Sequence, residues 1–365
     1  MRSPAAAVLA LPLLAGCAAT APDPAGRTGR WEAVVTARGV DPARVPAPLT
    51  ATEEMRAFAA AVAPERLSAP DRLTALQRAL YDPERFTFAY DERGTFSAAD
   101  AFARRRGNCV AFTNLFLALG RSLGFPLVAA LATESGTVER EGDLIVVRTH
   151  VVATLPWGSR TLVFDFFDAE SDPSLGVRPV DDAELAAVYL GNLGVDELRA
   201  GRAERALAVL SDAVRLGPSL APIHVDLGVA LWHLGREADA ETAFRTARAR
   251  DPREPSALHD LAALLASQGR HDEALRLLRG ADMRGSPGPT WLLRGNVELA
   301  EREVDGAARS FREAARRMPR SVEPLLALAR AEEARGRRAE AAAALREALA
   351  RKPDDPDVKR LLDLP

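Results

Sequence analysis

Apolar residues recur at helical spacing from Ala51 to Ala63, and again from Asp71 to Tyr81, where Leu73, Leu76 and Leu80 share one side. The spacing predicts two helices. A loop with aromatics, Asp82 to Ser97, comes before a longer apolar stretch from Cys109 to Leu123. In that stretch Val110, Phe112, Leu115, Phe116, Leu119 and Leu123 mark a third helix, which Gly124 and Pro126 end. The pattern then changes to Val- and Leu-rich runs, predicting strands at roughly Leu127–Thr133, Leu144–Leu155 and Arg160–Phe167. Up to about Arg178 this is an α+β unit, helices first and then an antiparallel sheet.

The second half repeats itself. Pro218, Pro252, Pro319 and Pro353 lie near a 34-residue grid, and Pro287 is one residue off it. Leu193-Gly194, Gly201, Ala206, Leu210, Ala213 and Pro218 recur one period later as Leu227-Gly228, Gly235, Ala240, Phe244, Ala247 and Pro252. Later copies carry Leu261, Gly269, Ala274 and Leu278; Trp291, Gly295, Ala307, Phe311 and Pro319; and Leu328, Gly336, Ala341, Leu345 and Pro353. This resembles the tetratricopeptide repeat, a helix–turn–helix with small residues where the helices touch. About five copies predict an all-α solenoid over residues 185–365, with the tail Asp357 to Leu364 as a capping helix. Arg294 and Glu298 depart from the pattern by filling usually apolar places in the fourth copy.

A chain of 365 residues fits two domains at ~100–200 residues each. The net charge of -3 leaves no basic surplus, so nothing points to nucleic acid. At the other end, Arg2 precedes an apolar run from Ala5 to Ala15 that is too short to span a membrane. It closes on Leu14-Ala15-Gly16-Cys17. These residues resemble the lipobox of bacterial lipoproteins, in which the cysteine is acylated and becomes the new N-terminus. The resemblance implies a signal peptide over 1–17, lipidation at Cys17 and a membrane anchor in the bacterial envelope. Ala18 in place of Asp favours the outer membrane, facing the periplasm. Residues 18–48, rich in Ala, Pro and Gly, are expected to be a flexible linker.

If Cys17 is acylated, Cys109 is the remaining thiol of the two cysteines. Arg106-Gly107-Asn108-Cys109 puts it at the start of the apolar helix, where unpaired N–H groups and the positive dipole end favour a thiolate. A nucleophilic cysteine needs a base, and of the five histidines only His150 lies outside the repeats. It stands on one expected strand and Asp165 on the next, with Pro156-Trp157-Gly158-Ser159 between them. A four-residue turn there pairs Leu155 with Arg160 and His150 with Asp165, with Cβ atoms roughly 5 Å apart. Slipping the register by one residue would separate the two onto opposite faces.

Other readings stand beside this one. Cys109 alone is as readily a buried small hydrophobe. Asp168, Asp172, Asp181 and Asp182 compete for the orienting role but lie beyond the strand. Arg104-Arg105-Arg106 reads as a solvated helix face, and the repeat histidines as surface or groove residues. No metal-ligand spacing and no Gly-rich phosphate loop occur, so no metal or cofactor is expected.

The order Cys, His on a strand, Asp on the neighbouring strand resembles the transglutaminase-like superfamily within the papain-like cysteine fold, over roughly Ala51 to Arg178. Its most specific part is Gly107-Asn108-Cys109 followed by Leu115 to Pro126, similar to that family's cysteine helix and exit. The resemblance implies a papain-like domain over 49–180. It also implies Cys109 as nucleophile, His150 as general base and then acid, and Asp165 as the orienting residue. The reaction is then a cysteine-dependent amide hydrolysis or acyl transfer through a thioester, with the repeats binding a protein or peptide partner. Where that family carries Trp after the histidine, Val151 and Val152 follow here. That departure keeps an alternative in view: a non-enzymatic envelope scaffold with a degenerate transglutaminase-like domain.

Overall fold

The computed structural model describes residues 24–45, 47–132, 137–141, 144–148, 150–158, 160–165, 176–281 and 283–353. The expected signal peptide with Cys17 and the expected capping helix Asp357–Leu364 lie outside the described residues.

The expected flexible linker is corrected in part. Residues Pro24–Ala37 form helix α1, and a short 3-10 turn follows at Pro42–Arg44. Val35, Val40 and Val45 are buried, and Trp31 Nε1 donates to the Val45 carbonyl at 3.1 Å. Four apolar anchors in a Pro/Ala-rich stretch suffice to fold it onto the body. Arg38 pairs with Asp181 at 3.0 Å and donates to the Leu216 carbonyl, while Arg44 pairs with Asp212 at 2.8 Å. The segment therefore bridges the first unit and the first repeat.

Helices α2 (Glu53–Val62) and α3 (Ala69–Tyr81) start at side-chain caps, Thr52 and Ser68. Strand β1 (Ala89–Tyr90), inside the expected loop, pairs in parallel with β2 (Arg106–Gly107) across α4 (Ala98–Arg104), which follows that loop. Helix α5 (Cys109–Ser122) is the centre of the unit, with every residue from Val110 to Gly120 buried. Leu127 closes against it, and a Cβ on Gly120 would stand 2.2 Å from Leu127 Cδ1, so only glycine admits that approach.

A four-stranded antiparallel sheet packs on α5 in the order β7-β6-β3-β8, with β3 Val128–Ala132, β6 Val151–Trp157, β7 Arg160–Phe164 and β8 Val177–Val180. The single strand expected over Leu144–Leu155 is two. Residues Leu144–Arg148 form β5 and pair with β4 (Thr137–Glu141) in a separate hairpin. Only Val151–Trp157 joins the main sheet, because β3 is short and the chain beyond it finds a different partner. The strand β8 runs antiparallel on the far side of β3 and had no clear alternation to reveal it.

Five helical pairs follow among the described residues: α6 (Asp182–Arg199) with α7 (Ala203–Leu216), α8 (Ala221–His233) with α9 (Glu237–Arg250), α10 (Pro255–Ser267) with α11 (His271–Gly280), α12 (Gly288–Ala300) with α13 (Val304–Arg317), and α14 (Glu323–Ala334) with α15 (Arg338–Arg351). The repeat period has a steric origin. Cβ atoms on Gly194, Gly228 and Gly295 would stand 2.5, 2.5 and 2.4 Å from Leu210, Phe244 and Phe311 of the paired helix. The grid slips by one residue at Pro287, where α11 is short and a 3-10 turn (Met283–Gly285) replaces its last turn.

The tight turn inside each pair needs a left-handed residue. Gly201, Gly235, Gly269 and Gly336 supply it, and in the fourth pair Arg302 adopts φ 60 instead. Arg294 and Glu298, the apparent misfits, satisfy each other: Arg294 Nε donates to Glu298 at 3.0 Å, and Ser310 Oγ donates to it at 2.6 Å.

The two halves share a core. Buried residues from Val35 to Ile223 form one contiguous cluster that includes α6 and α7. Arg121 on α5 makes a bidentate pair with Asp182, at 2.8 and 2.9 Å, at the start of α6. The first repeat is thus part of the first unit's hydrophobic body.

Candidate active site

Gly107 and Asn108 deliver Cys109 to its place. A Cβ on Gly107 would sit 2.4 Å from Ala111 Cβ, so glycine is needed for the turn into α5. Asn108 then caps the helix, its Oδ1 accepting from Ala111 N at 3.1 Å. Its Nδ2 donates to Thr95 Oγ1 at 2.7 Å, and its backbone N–H donates to Gly94 at 3.0 Å. Cys109 follows as the first residue of the helix, half-buried at its positive dipole end.

His150 sits at the break between β5 and β6. Its backbone is pinned on both sides: Ala132 N donates to the His150 carbonyl at 2.9 Å, and Thr113 Oγ1 of α5 donates to the Val151 carbonyl at 3.0 Å. Asp165 stands just past the end of β7. Gln77 Nε2, on α3, donates to the Asp165 carbonyl at 2.8 Å. Phe164 beside it stacks on Phe116 of α5, centroids 5.0 Å apart.

The structure brings Cys109, His150 and Asp165 together. His150 Nε2 donates to Asp165 Oδ2 at 2.8 Å, and the imidazole also hydrogen-bonds the Cys109 sulfur. With Nε2 given to the carboxylate, Nδ1 is the nitrogen left for the sulfur. Burial alone pulls the imidazole down. The hydrogen bonds and charges of Asp165 and Cys109 outweigh it and hold the ring up to about 10. At neutral pH His150 is therefore an imidazolium clamped between a carboxylate and a sulfur.

The route to this geometry differs from the expected one. Trp157 pairs with Arg160, and Leu155 with Leu162, so two residues and not four separate the paired strand ends. Carried outward, that register sets Val152, not His150, opposite Asp165. The expected pairing of His150 with Asp165 is thus off by two residues. A shift of two preserves the face on which a strand residue points, and diagonal neighbours ~7–8 Å apart remain within reach of long side chains.

Three neighbours were not singled out in the sequence. Gln77 and Tyr81 lie one helical turn apart on α3, Gln77 as a donor to the Asp165 carbonyl and Tyr81 within the field of its charge. Burial and then the Asp165 charge push the Tyr81 phenol well above its ordinary range. A signal for Gln77 existed: it is a polar residue inside the Leu73/Leu76/Leu80 stripe, only 2 % exposed. Thr113 had none, since a threonine in an apolar helix reads as packing.

The rival acids fall elsewhere. Asp181 caps α6 and Asp182 pairs with Arg121, while Asp168 and Asp172 lie outside the described residues. The arginine run is not a bare solvated face: Arg104 and Arg105 lie over the rings of Phe96 and Phe86, and Arg106 pairs with Asp91 at 3.4 Å. Among the repeat histidines, His224 and His259 are buried, against expectation. Among the described residues no cluster of His, Cys, Asp or Glu is arranged to hold a metal ion. No described helix is long and apolar enough to cross a membrane.

Comparison with known proteins bears on the second half. Two family models described as tetratricopeptide repeat match, one over residues 197–265 and 298–363 and one over 255–279. No curated protein matches the chain. Similar solved structures include YrrB, described as a TPR protein with an unusual peptide-binding site (19% identity, 49% of this chain and 92% of that one, TM-score 0.40). TTC0263, a TPR protein of Thermus thermophilus, is 26% identical over 48% of this chain and 96% of its own, with a TM-score of 0.39. PilF of Pseudomonas aeruginosa is 20% identical over 50% of this chain and 99% of its own, also at 0.39. With the 34-residue steric grid and five helical pairs already described, the family matches identify the C-terminal region of this chain as tetratricopeptide repeats.

Proposed function

We propose that this chain is a cysteine-dependent amide hydrolase or acyltransferase of transglutaminase-like type, with a repeat domain that binds a protein or peptide partner. The single observation that carries it is the assembled Cys109–His150–Asp165 set, with His150 Nε2 2.8 Å from Asp165 and the imidazole on the Cys109 sulfur. The sulfur at the start of α5 attacks an acyl carbon, forming the S–C bond, while the oxygen takes the negative charge at the positive dipole end of the helix. As the C–N bond breaks, His150 gives its proton to the departing amine. Water or a second amine then attacks the thioester, His150 takes a proton from it, and the sulfur leaves. Asp165 holds the ring in one tautomer throughout and offsets its charge.

In this proposal the chain is an envelope lipoprotein anchored through Cys17 at the outer membrane, facing the periplasm. Helix α1 starts seven residues after Cys17, a reach of at most about 25 Å even when extended. In this reading the start of α1 stays within that reach of the lipid anchor.

The test is alkylation of Cys109 by iodoacetamide across pH 5–8, in the wild-type protein and in His150→Ala. The proposal expects labelling that persists at pH 5 and is lost there in the variant, since an isolated thiol is roughly 0.03 % ionised at that pH. Labelling indifferent to His150 overturns it and leaves the scaffold reading.

A further inference from the structure

Helix α10 is buried all the way round. Ten consecutive residues, Ser256 to Leu265, are covered, whereas the inner helices on either side, α8 and α12, keep partly exposed faces. Two of its sides are accounted for by the repeats themselves. Ala257, Leu261, Leu264 and Leu265 join one apolar cluster with α8 and α9, and Leu258 and Ala262 join another with Leu278 and Met283. The third side is Ser256, His259, Asp260 and Ala263, spaced as one helical stripe, with Ala263 in neither apolar cluster, His259 at 3 % and Asp260 at 0 % exposure. What lies against α10 from outside the array is β5.

The β4–β5 hairpin is hydrogen-bonded to no other strand among the described residues, so α10 supplies the support that the main sheet does not. A floor of small and short polar groups suits a strand, because it lets the backbone approach closely and offers it polar partners. In sequence, only Thr149 separates the end of β5 from His150.

We infer that the β4–β5 hairpin is a built-in strand ligand of the repeat array, and that it couples occupancy of the Ser256/His259/Asp260/Ala263 face to the position of His150. This rests on the catalytic reading above. An extended polypeptide from a partner competes with β5 for the same face. When it wins, β5 leaves α10, and the segment ending in His150 loses its outer support. The seated hairpin belongs to the assembled site, so partner binding and thiol reactivity oppose each other.

The test uses the full mature chain and a synthetic peptide of residues 137–148 (TVEREGDLIVVR) as the competing strand. Hydrogen–deuterium exchange at residues 144–148 and alkylation of Cys109 at pH 5 are measured with and without excess peptide. They are measured also in Ala263→Arg, which fills the strand's place with a long side chain. Peptide and variant are each expected to raise exchange in β5 and to lower the His150-dependent labelling about ten-fold, with helical circular dichroism retained. Unchanged exchange in β5 overturns the docking. Raised exchange with unchanged labelling overturns the coupling. If wild-type labelling proves indifferent to His150, the catalytic reading fails by itself, and the exchange arm still decides whether β5 is displaced.

Discussion

Replacing Asp165 by Asn keeps the shape of the side chain and removes the charge that faces His150 Nε2 at 2.8 Å. The imidazole, 14 % exposed, stands at about 10 in the folded protein against an ordinary 6.5. That gap is worth at most about 5 kcal/mol at 1.36 kcal/mol per unit. Because the folded value is the higher one, the full stabilisation is present below pH 6.5 and disappears as the pH rises through about 10. Between pH 7 and 10.5 the wild-type protein therefore loses about 4 kcal/mol through this one group. In Asp165→Asn burial still pulls the ring down and only Cys109 pulls it up, so the ring falls back toward its ordinary value. Most of that pH-dependent loss goes with it. Titration of the histidine Cε1–H signals by NMR from pH 5 to 11, with His150→Asn to assign the resonance, reads the ring directly. Urea unfolding at pH 7 and 10.5 reads the stability difference between the two proteins. A wild-type His150 that titrates near 6.5, or a variant that titrates with the wild type, refutes the reasoning.

Substitutions at three further positions have expected outcomes. Gln77→Ala leaves the Asp165 carbonyl without its 2.8 Å donor in a buried setting, and should lower urea stability by about 1–3 kcal/mol. It should also weaken Cys109 labelling at pH 5. Arg302→Gly relieves a non-glycine residue at φ 60, in a turn where four sister repeats carry glycine. The melting midpoint should rise, with about 1 kcal/mol gained. Glu298→Ala strips the buried carboxylate that Arg294 and Ser310 hold at 3.0 and 2.6 Å, and should cost about 3 kcal/mol in denaturant titration. Glu298→Gln should recover part of that loss through the Ser310 hydrogen bond.

Local chemistry was legible wherever one element decides it. The start of α5 follows from Gly107-Asn108, because the turn excludes a Cβ and the helix needs a cap. The repeat grid follows from a steric rule seen at Gly194, Gly228 and Gly295, a small residue on one helix under a large one on its mate. The common face of His150 and Asp165 was legible too, because strand parity survives a slip of two residues and the turn length was wrong by that even number. Non-local partners were beyond reach. The break of the strand at His150, the addition of β8, the folding of α1 onto the body and the seating of β5 on α10 each depend on what lies across the fold. No periodicity encodes such a choice. By itself the sequence singled out the residues of the proposed site and the face that His150 and Asp165 share, since helix and strand periods act within one element. The tertiary structure decided how far apart they stand and what holds them, since register, burial and charge coupling belong to pairs of elements.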